Sequence, residues 1–349
     1  AMGKTAIDET STDGEFKRTE SSFRSWISSK EGCDIPAVAD RYHLYISYAC
    51  PWASRCFATL KLKGLDHAIG VTSTKPKWER TKEGESHFGW TFPSSDNEEP
   101  GAQPDPINDA KTVRELYDIA NPNYTGKYTV PVLWDKAKKT IVNNESSDII
   151  RMLNSEFNHL AKRPDFDLYP RDLQAKIDEV NAWVYDSINN GVYRCGFATK
   201  QKPYEEAFEA LFNALDRCED ILSKQRYLCG NVFTEADLRL FKTLIRFDEV
   251  SSGVFFFLAF SRSFIQIHYL CQVYVVHFKC NKKLIREYPN LFNFVKDVYQ
   301  MDGISDTVRM DHIKKHYYGS HPSINPYGVI PVGSVIDYST PHDRHKFNT

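Results

Sequence analysis

The stretch "RYHLYISYACPWASRCFATLKLKG", residues 41–64, changes its periodicity halfway along. "RYHLYIS" alternates as a β-strand does, whereas "PWASRCFATLKLK" is rich in helix formers and stops at Gly64, a residue suited to ending a helix. The pattern predicts a strand ending near Ser47 and a helix starting at Pro51, because proline at the first helical position lacks only an N–H that would have had no partner. Cys50 then falls at the helix N-cap, where unpaired backbone N–H groups and the positive end of the helix dipole favour a thiolate. The expected consequence is a thiol pKa lowered from about 8.5 into the range of about 3.5 to 7.5.

Outward from this unit, "DHAIGVTS" reads as a second strand and "KTVRELYDIANP" as a helix. "TVPVLWDKAKKTIVNN" reads as two strands joined by a charged turn, and "ESSDIIRMLNSEF" as a further helix. The order β-α-β-α-β-β-α is that of a thioredoxin-like domain. Residues 74–108 form a long Pro- and Gly-rich segment whose embedded "FGWTF" argues for a functional loop. After "RPDFDLYPRDL" the β signals fade and amphipathic helices are expected over residues 171–190, 203–223 and 235–250, the last opened by a Thr234/Asp237 capping box. The expected fold is an α/β N-terminal thioredoxin-like domain, residues 41–158, followed by an all-α C-terminal domain, residues 170–331. Residues 1–40 read as a mobile polar arm able to drape over the body, with no chemistry assigned, and residues 332–349 as a tail.

Three features carry chemistry. The site reads Cys-Pro-Trp-Ala, so Ala53 stands where a dithiol motif has its second cysteine, and Cys50 must use an external thiol. Cys56 lies six residues on, points to another face of the helix and is expected in the core. In "TVPV", Pro131 is either an edge-strand proline or follows a cis bond that exposes the N–H and C=O of Val130 to an extended ligand. In "NNESSDII", Glu145 and Ser146 begin a helix, where backbone N–H groups and the Ser146 hydroxyl can meet a carboxylate while Glu145 accepts from an ammonium. Together these describe a site for a small, extended, zwitterionic thiol, and glutathione has that shape.

Composition narrows the partners. With 44 basic against 46 acidic side chains and no long block of either sign, nothing supports binding to nucleic acid or a membrane surface. The eight cysteines form no Cys-x-x-Cys spacing, and a reducing compartment is expected. The amino-terminal segment lacks the apolar core of a secretory signal; the expected location is cytoplasmic, with a plastid after loss of a transit peptide as the alternative. His312 and His316 stand four apart, but with no carboxylate motif beside them no metal is expected, and no Gly-rich phosphate loop indicates a nucleotide. No permanently bound cofactor is expected.

The cysteine site, "TVPVLWD" and "NNESSDIIRMLN" resemble those of glutathione transferases with a catalytic cysteine. The wider set "SYACPWASR", "GWTF", "NNGVYRCGFA", "RFDEV", "YVVHFKCN" and "SINPYGVIP" is similar to the Xi class, the glutathionyl-hydroquinone reductases, over residues 23–331. The resemblance implies a homodimer that uses glutathione as co-substrate to remove glutathione from glutathionyl-hydroquinones. It implies Cys50 as nucleophile, Trp90, Val130, Pro131, Glu145 and Ser146 at the glutathione, and Tyr193, Tyr317 and Tyr318 at the quinol, with the Tyr193 hydroxyl donating to a quinol oxygen. A glutaredoxin-like thioltransferase or dehydroascorbate reductase is the alternative, as is a non-catalytic binding protein of the same fold.

One segment departs from the resembled pattern. Joining Val250 to Tyr274 restores "RFDEVYVVHFKCN", which leaves an atypical insertion at about residues 250–273. Residues 250–272 begin with Val-Ser and end with Gln, codable as a splice donor and a terminal CAG, and the expectation is a retained intron displaced from the fold. A membrane-spanning helix is the rival reading, opposed by Arg262 near its middle.

Overall fold

The computed structural model describes residues 6–248, 273–332 and 336–347, so the insertion expected over residues 250–272 lies outside the described residues. The N-terminal half contains β1 (Tyr42–Ile46), α1 (Pro51–Lys63), β2 (Gly70–Ser73), the short strands β3 (Glu79–Arg80) and β4 (Phe88–Gly89), α2 (Val113–Ala120), β5 (Val132–Asp135), β6 (Thr140–Asn143) and α3 (Ser146–Ser155). The main sheet has the order β2-β1-β5-β6, with β1 parallel to β2 and antiparallel to β5, and β5 antiparallel to β6. All five residues of β1 are buried, as a central strand covered on both faces requires. β3 and β4 pair within the long loop, which was expected to hold no strands. The Val130–Pro131 bond is cis, which decides between the two readings of "TVPV".

Helix α1 starts at Pro51 with Cys50 as its N-cap and ends at Gly64, as the pattern predicts. Gly64 takes the left-handed conformation at φ 65° and its N–H returns to the carbonyls of Leu60 and Lys61, a closure that glycine adopts without steric penalty. The helix is shared by two cores. Ala53, Cys56, Phe57 and Leu60 pack into the sheet side, Ala58 and Leu62 into the helical side, and Trp52 touches both.

The C-terminal half is helical: α4 (Gln174–Val184), a π-helical turn (Tyr185–Asn189), α5 (Gly191–Phe197), α6 (Gln201–Lys224), α7 (Glu235–Leu244), a second π-helical turn (Val273–His277), α8 (Pro289–Tyr299) and α9 (Met310–Gly319). The helix expected over 235–250 stops at Leu244, because the N–H groups of Arg246 and Phe247 fold back onto the carbonyls of Thr243 and Leu244 in tight turns. Phe247 and Tyr274, which flank the undescribed stretch, meet edge to face at 6.1 Å, and Val273 and Tyr274 are buried in the helical core.

The amino-terminal arm, expected to drape over the body, is anchored to it in its described part. Phe16 is 1% exposed and packs on Tyr193 and Phe197, while Ile27 is fully buried in the sheet-side core. The Ser25 N–H donates to the Val142 carbonyl, and Arg24 pairs with Asp148. A few apolar anchors in a polar stretch suffice to bind it to both halves. Among the described residues no helix is long and apolar enough to cross a membrane.

The start of α7 supplies a stability prediction. Asp237, fully buried, accepts from the Thr234 N–H (2.9 Å), the Thr234 hydroxyl (3.0 Å) and the Leu228 N–H (2.7 Å). Asp237→Ala strands two buried N–H donors and should lower the unfolding free energy by about 2 kcal/mol or more. Thr234→Ala, which leaves those donors paired, should cost about 1 kcal/mol. Urea denaturation of the two variants measures the difference, and equal losses would show that the carboxylate's bond to Leu228 contributes nothing.

Candidate active site

Cys50 sits where β1 gives way to α1, with extended backbone angles (φ −79°, ψ 117°). Its thiol donates to the Val130 carbonyl at 3.5 Å, so the thiol and the backbone beside Pro131 face each other. Both border a cavity of about 1070 Å³. Burial pushes the Cys50 thiol up, and it outweighs the N–H groups of Ala53 and Trp52 and the charges of Arg246 and Arg18, all of which pull it down. The expectation of a lowered pKa is therefore overturned. The N-terminal helix effect is present, but Cys50 is only 8% exposed and its desolvation is larger. Cys56 is fully buried, its thiol near the carbonyls of Trp52 and Ser146, and burial holds it far above the ordinary thiol range.

Trp90, Val130, Pro131, Glu145 and Ser146 all line this cavity. Glu145 is the N-cap of α3; one carboxylate oxygen accepts from the Ser147 N–H and hydroxyl, both at 3.0 Å, and the other from the Ser21 hydroxyl at 3.0 Å. Burial raises its carboxyl, yet Arg55 and these hydrogen bonds outweigh that and hold it below the usual range. The Ser146 hydroxyl accepts from Arg55 at 2.5 and 3.1 Å. Arg55, absent from the sequence-based set, thus lies 3% exposed on α1 between the thiol and the start of α3. Trp90 stacks on His316 with ring centroids 4.6 Å apart.

Beside the thiol the lining is aromatic. The Tyr193 hydroxyl meets that of Tyr317 at 2.7 Å, and the Tyr317 hydroxyl meets that of Tyr274 at 2.8 Å. Burial raises the pKa of all three, and for Tyr193 the nearby Cys50 adds to the rise, so the chain is a file of protonated hydroxyls. Tyr193 and Tyr317 line the cavity. Tyr318 does not: its ring packs on His277 at 5.0 Å, so the structure brings together one of the two adjacent tyrosines and leaves the other behind. Tyr274 was missed because its role depends on the fold rather than on a local motif. Arg18, from the arm to which no chemistry was assigned, places its guanidinium 5.0 Å from the Trp52 ring and 5.1 Å from the Tyr193 ring, and its Nε donates to Asn190. His312 and His316 bond to the separate carbonyls of Pro100 and Pro76, and among the described residues no group of three His, Cys, Asp or Glu could hold a metal.

Residues 49–156 match the family model of the glutathione S-transferase N-terminal domain, and residues 201–297 that of the C-terminal domain. The chain is 45% identical over 347 residues to the glutathionyl-hydroquinone reductase YqjG of Escherichia coli, covering 97% of this chain and 95% of that protein. It is 42% identical over 326 residues to the glutathionyl-hydroquinone reductase PcpF of Sphingobium chlorophenolicum, covering 93% and 92%. Among solved structures, the glutathione-S-transferase Xi from Phanerochaete chrysosporium superposes with a TM-score of 0.82 at 47% identity, over 96% of this chain and 97% of that one. The glutathione-bound structure of YqjG superposes with a TM-score of 0.79 at 45% identity, over 92% and 96%.

The pH profile of Cys50 reports the balance between burial and the helix terminus. Alkylation of Cys50 by iodoacetamide in the unliganded protein should titrate with a midpoint at or above the ordinary thiol value of about 8.5. Peptide mass spectrometry across a pH series reads it; a midpoint near neutrality would show that the terminus and the nearby guanidiniums win over desolvation.

Proposed function

Since the chain belongs to the glutathione S-transferase family, in its Xi class of glutathionyl-hydroquinone reductases, we propose that it uses glutathione to reduce glutathionyl-hydroquinones through a Cys50–glutathione mixed disulfide. The observation that carries the reading is one cavity lined both by a lone thiol at a helix start and by the hydrogen-bonded hydroxyls of Tyr193 and Tyr317.

In the proposed reaction the Cys50 thiolate attacks the sulfur of the bound thioether. A sulfur–sulfur bond forms as the carbon–sulfur bond breaks, its electron pair goes to the ring carbon, and that carbon takes up a proton to leave as hydroquinone. A second glutathione thiolate then attacks the mixed disulfide, releasing oxidised glutathione and restoring the Cys50 thiolate. Tyr193, backed by Tyr317, donates a hydrogen bond to a quinol oxygen while the ring departs. Trp90, Val130, Pro131, Glu145 and Ser146 hold glutathione, with Glu145 ionised and able to accept from its ammonium. Arg55 stands beside the Ser146 hydroxyl, where the amino-acid carboxylate would bind. Arg18 stacks over Trp52 and Tyr193 at the edge of the space left for the ring.

A homodimer is part of the reading and is supported by the exposed apolar side chains of Tyr327, Val329 and Val332. The seven described cysteines are all unpaired, which fits a cytoplasmic setting.

Cys50→Ala should abolish reduction of a glutathionyl-hydroquinone, and Cys56→Ala should retain most of it. Substantial turnover by the Cys50 variant would remove the mechanism, and faster turnover of a glutathionylated peptide than of the quinol thioether would favour a thioltransferase instead. Tyr193→Phe should lower kcat by about tenfold or more while changing the KM for glutathione less. Tyr318→Phe should leave kcat close to that of the parent, whereas Tyr317→Phe should lower it; steady-state kinetics on the three variants tests the file of hydroxyls, which an unaffected Tyr193 variant would exclude from the chemistry.

A further inference from the structure

Arg246 follows α7 in the helical half and is 1% exposed, one of the largest fully buried side chains of the protein. Its guanidinium donates to the carbonyls of Tyr48 (2.9 Å), Ala49 (3.4 Å) and Lys242 (2.6 Å). Two of these acceptors are the residues immediately before Cys50. All three are neutral, and among the described residues no carboxylate pairs with this cation. Asp248, two residues on, is engaged elsewhere, accepting from the N–H groups of Ile285 and Arg286. Lys242, fully buried beside Arg246, donates to the Thr307 hydroxyl, and burial first and Arg246 second drive its ammonium well below the ordinary range.

A guanidinium does not escape by losing its proton, and a buried charge without a counter-ion is expensive. The group near Arg246 that gains a negative charge in the proposed reaction is Cys50 itself. Arg18 also acts on that sulfur from the arm, while Tyr193 and Cys56, two titratable groups close to it, are held neutral. The geometry points to Arg246 as a positioning residue for Cys50: it grips the carbonyls of Tyr48 and Ala49 to fix the entry into α1, and it is the buried positive charge against which the Cys50 thiolate forms. This rests on Cys50 being the nucleophile of the proposed reaction. It also gives the "RFDEV" stretch a role, since the helical half then reaches through the interface to set the reactivity of a thiol in the other half.

The test uses the full chain and reads the rate of Cys50 alkylation by iodoacetamide against pH, with melting temperature recorded alongside. Arg246→Gln keeps hydrogen-bond donors but removes the charge, and should move the midpoint up by about one pH unit or more, about tenfold less thiolate at a given pH below it. Arg246→Lys keeps the charge but cannot span both carbonyls; it should melt at a lower temperature with a midpoint within about a third of a unit of the parent. A folded Arg246→Gln variant with the parent's midpoint overturns the proposal, as does an Arg246→Lys variant shifted by a full unit. Should the Gln variant not fold, the Lys variant decides by the same criterion. Because alkylation involves no quinol, loss of hydroquinone turnover from the parent protein would count against the proposed function and leave this result standing.

Discussion

Helix α1 belongs to two hydrophobic cores at once, and the rest of the architecture is arranged around that sharing. Its sheet-facing residues pack with α3 and the strands, and its opposite face packs with the helical half through Ala58 and Leu62. A helix covered on both sides can leave its polar ends accessible only along its axis. At the N-terminus Pro51 has no N–H to offer, and the N–H groups of Trp52 and Ala53 form no cap bond with the Cys50 side chain yet pull its thiol pKa down. The site therefore forms where the two cores meet because that is where a buried helix still has unpaired donors.

Sharing the helix creates an electrostatic conflict. The burial that locates the sulfur also penalises its ionised form, and burial prevails. The thiol bond to Val130 stabilises the protonated state and occupies a carbonyl that an extended ligand would otherwise meet. Against this stand the helix terminus and the guanidiniums of Arg246 and Arg18. A resting thiol of this kind is guarded against adventitious oxidation, since the thiolate is the species that reacts.

What could be read from the residues in order was whatever a short window of chain decides. The strand, proline and helix around Cys50, the stop at Gly64 and the α3 start at Glu145 each follow from neighbours within a turn or two, and each stands where the pattern put it. Residues whose roles depend on distant partners were not legible. Arg55 reaches Ser146, Arg246 reaches Tyr48 and Tyr274 reaches Tyr317, and no local periodicity marks these pairs. The anchors of the arm were hidden for the same reason, because Phe16 and Ile27 are single apolar residues in polar surroundings whose pockets are built by other segments. The Cys50 pKa went wrong at the same boundary: the cap is local, but the burial comes from Val130 and the rest of the covering chain.

The arm that supplies Arg18 lies outside the sheet and the helical bundle, held to them by Phe16, Ile27 and a few polar bonds, and yet it completes a wall of the cavity. It is an appendage that alters the shape and charge of the chamber and meets the sheet only along β6, through the bridge of Arg24 to Asn143 and the bond of Ser25 to Val142. Sequence drift at its polar positions such as Arg18 changes which rings are admitted at little expense to folding, whereas Phe16 and Ile27 belong to the two cores that hold the arm in place. Selectivity and foldability thus alternate residue by residue along one stretch of the chain, and the first can evolve while the second is held still.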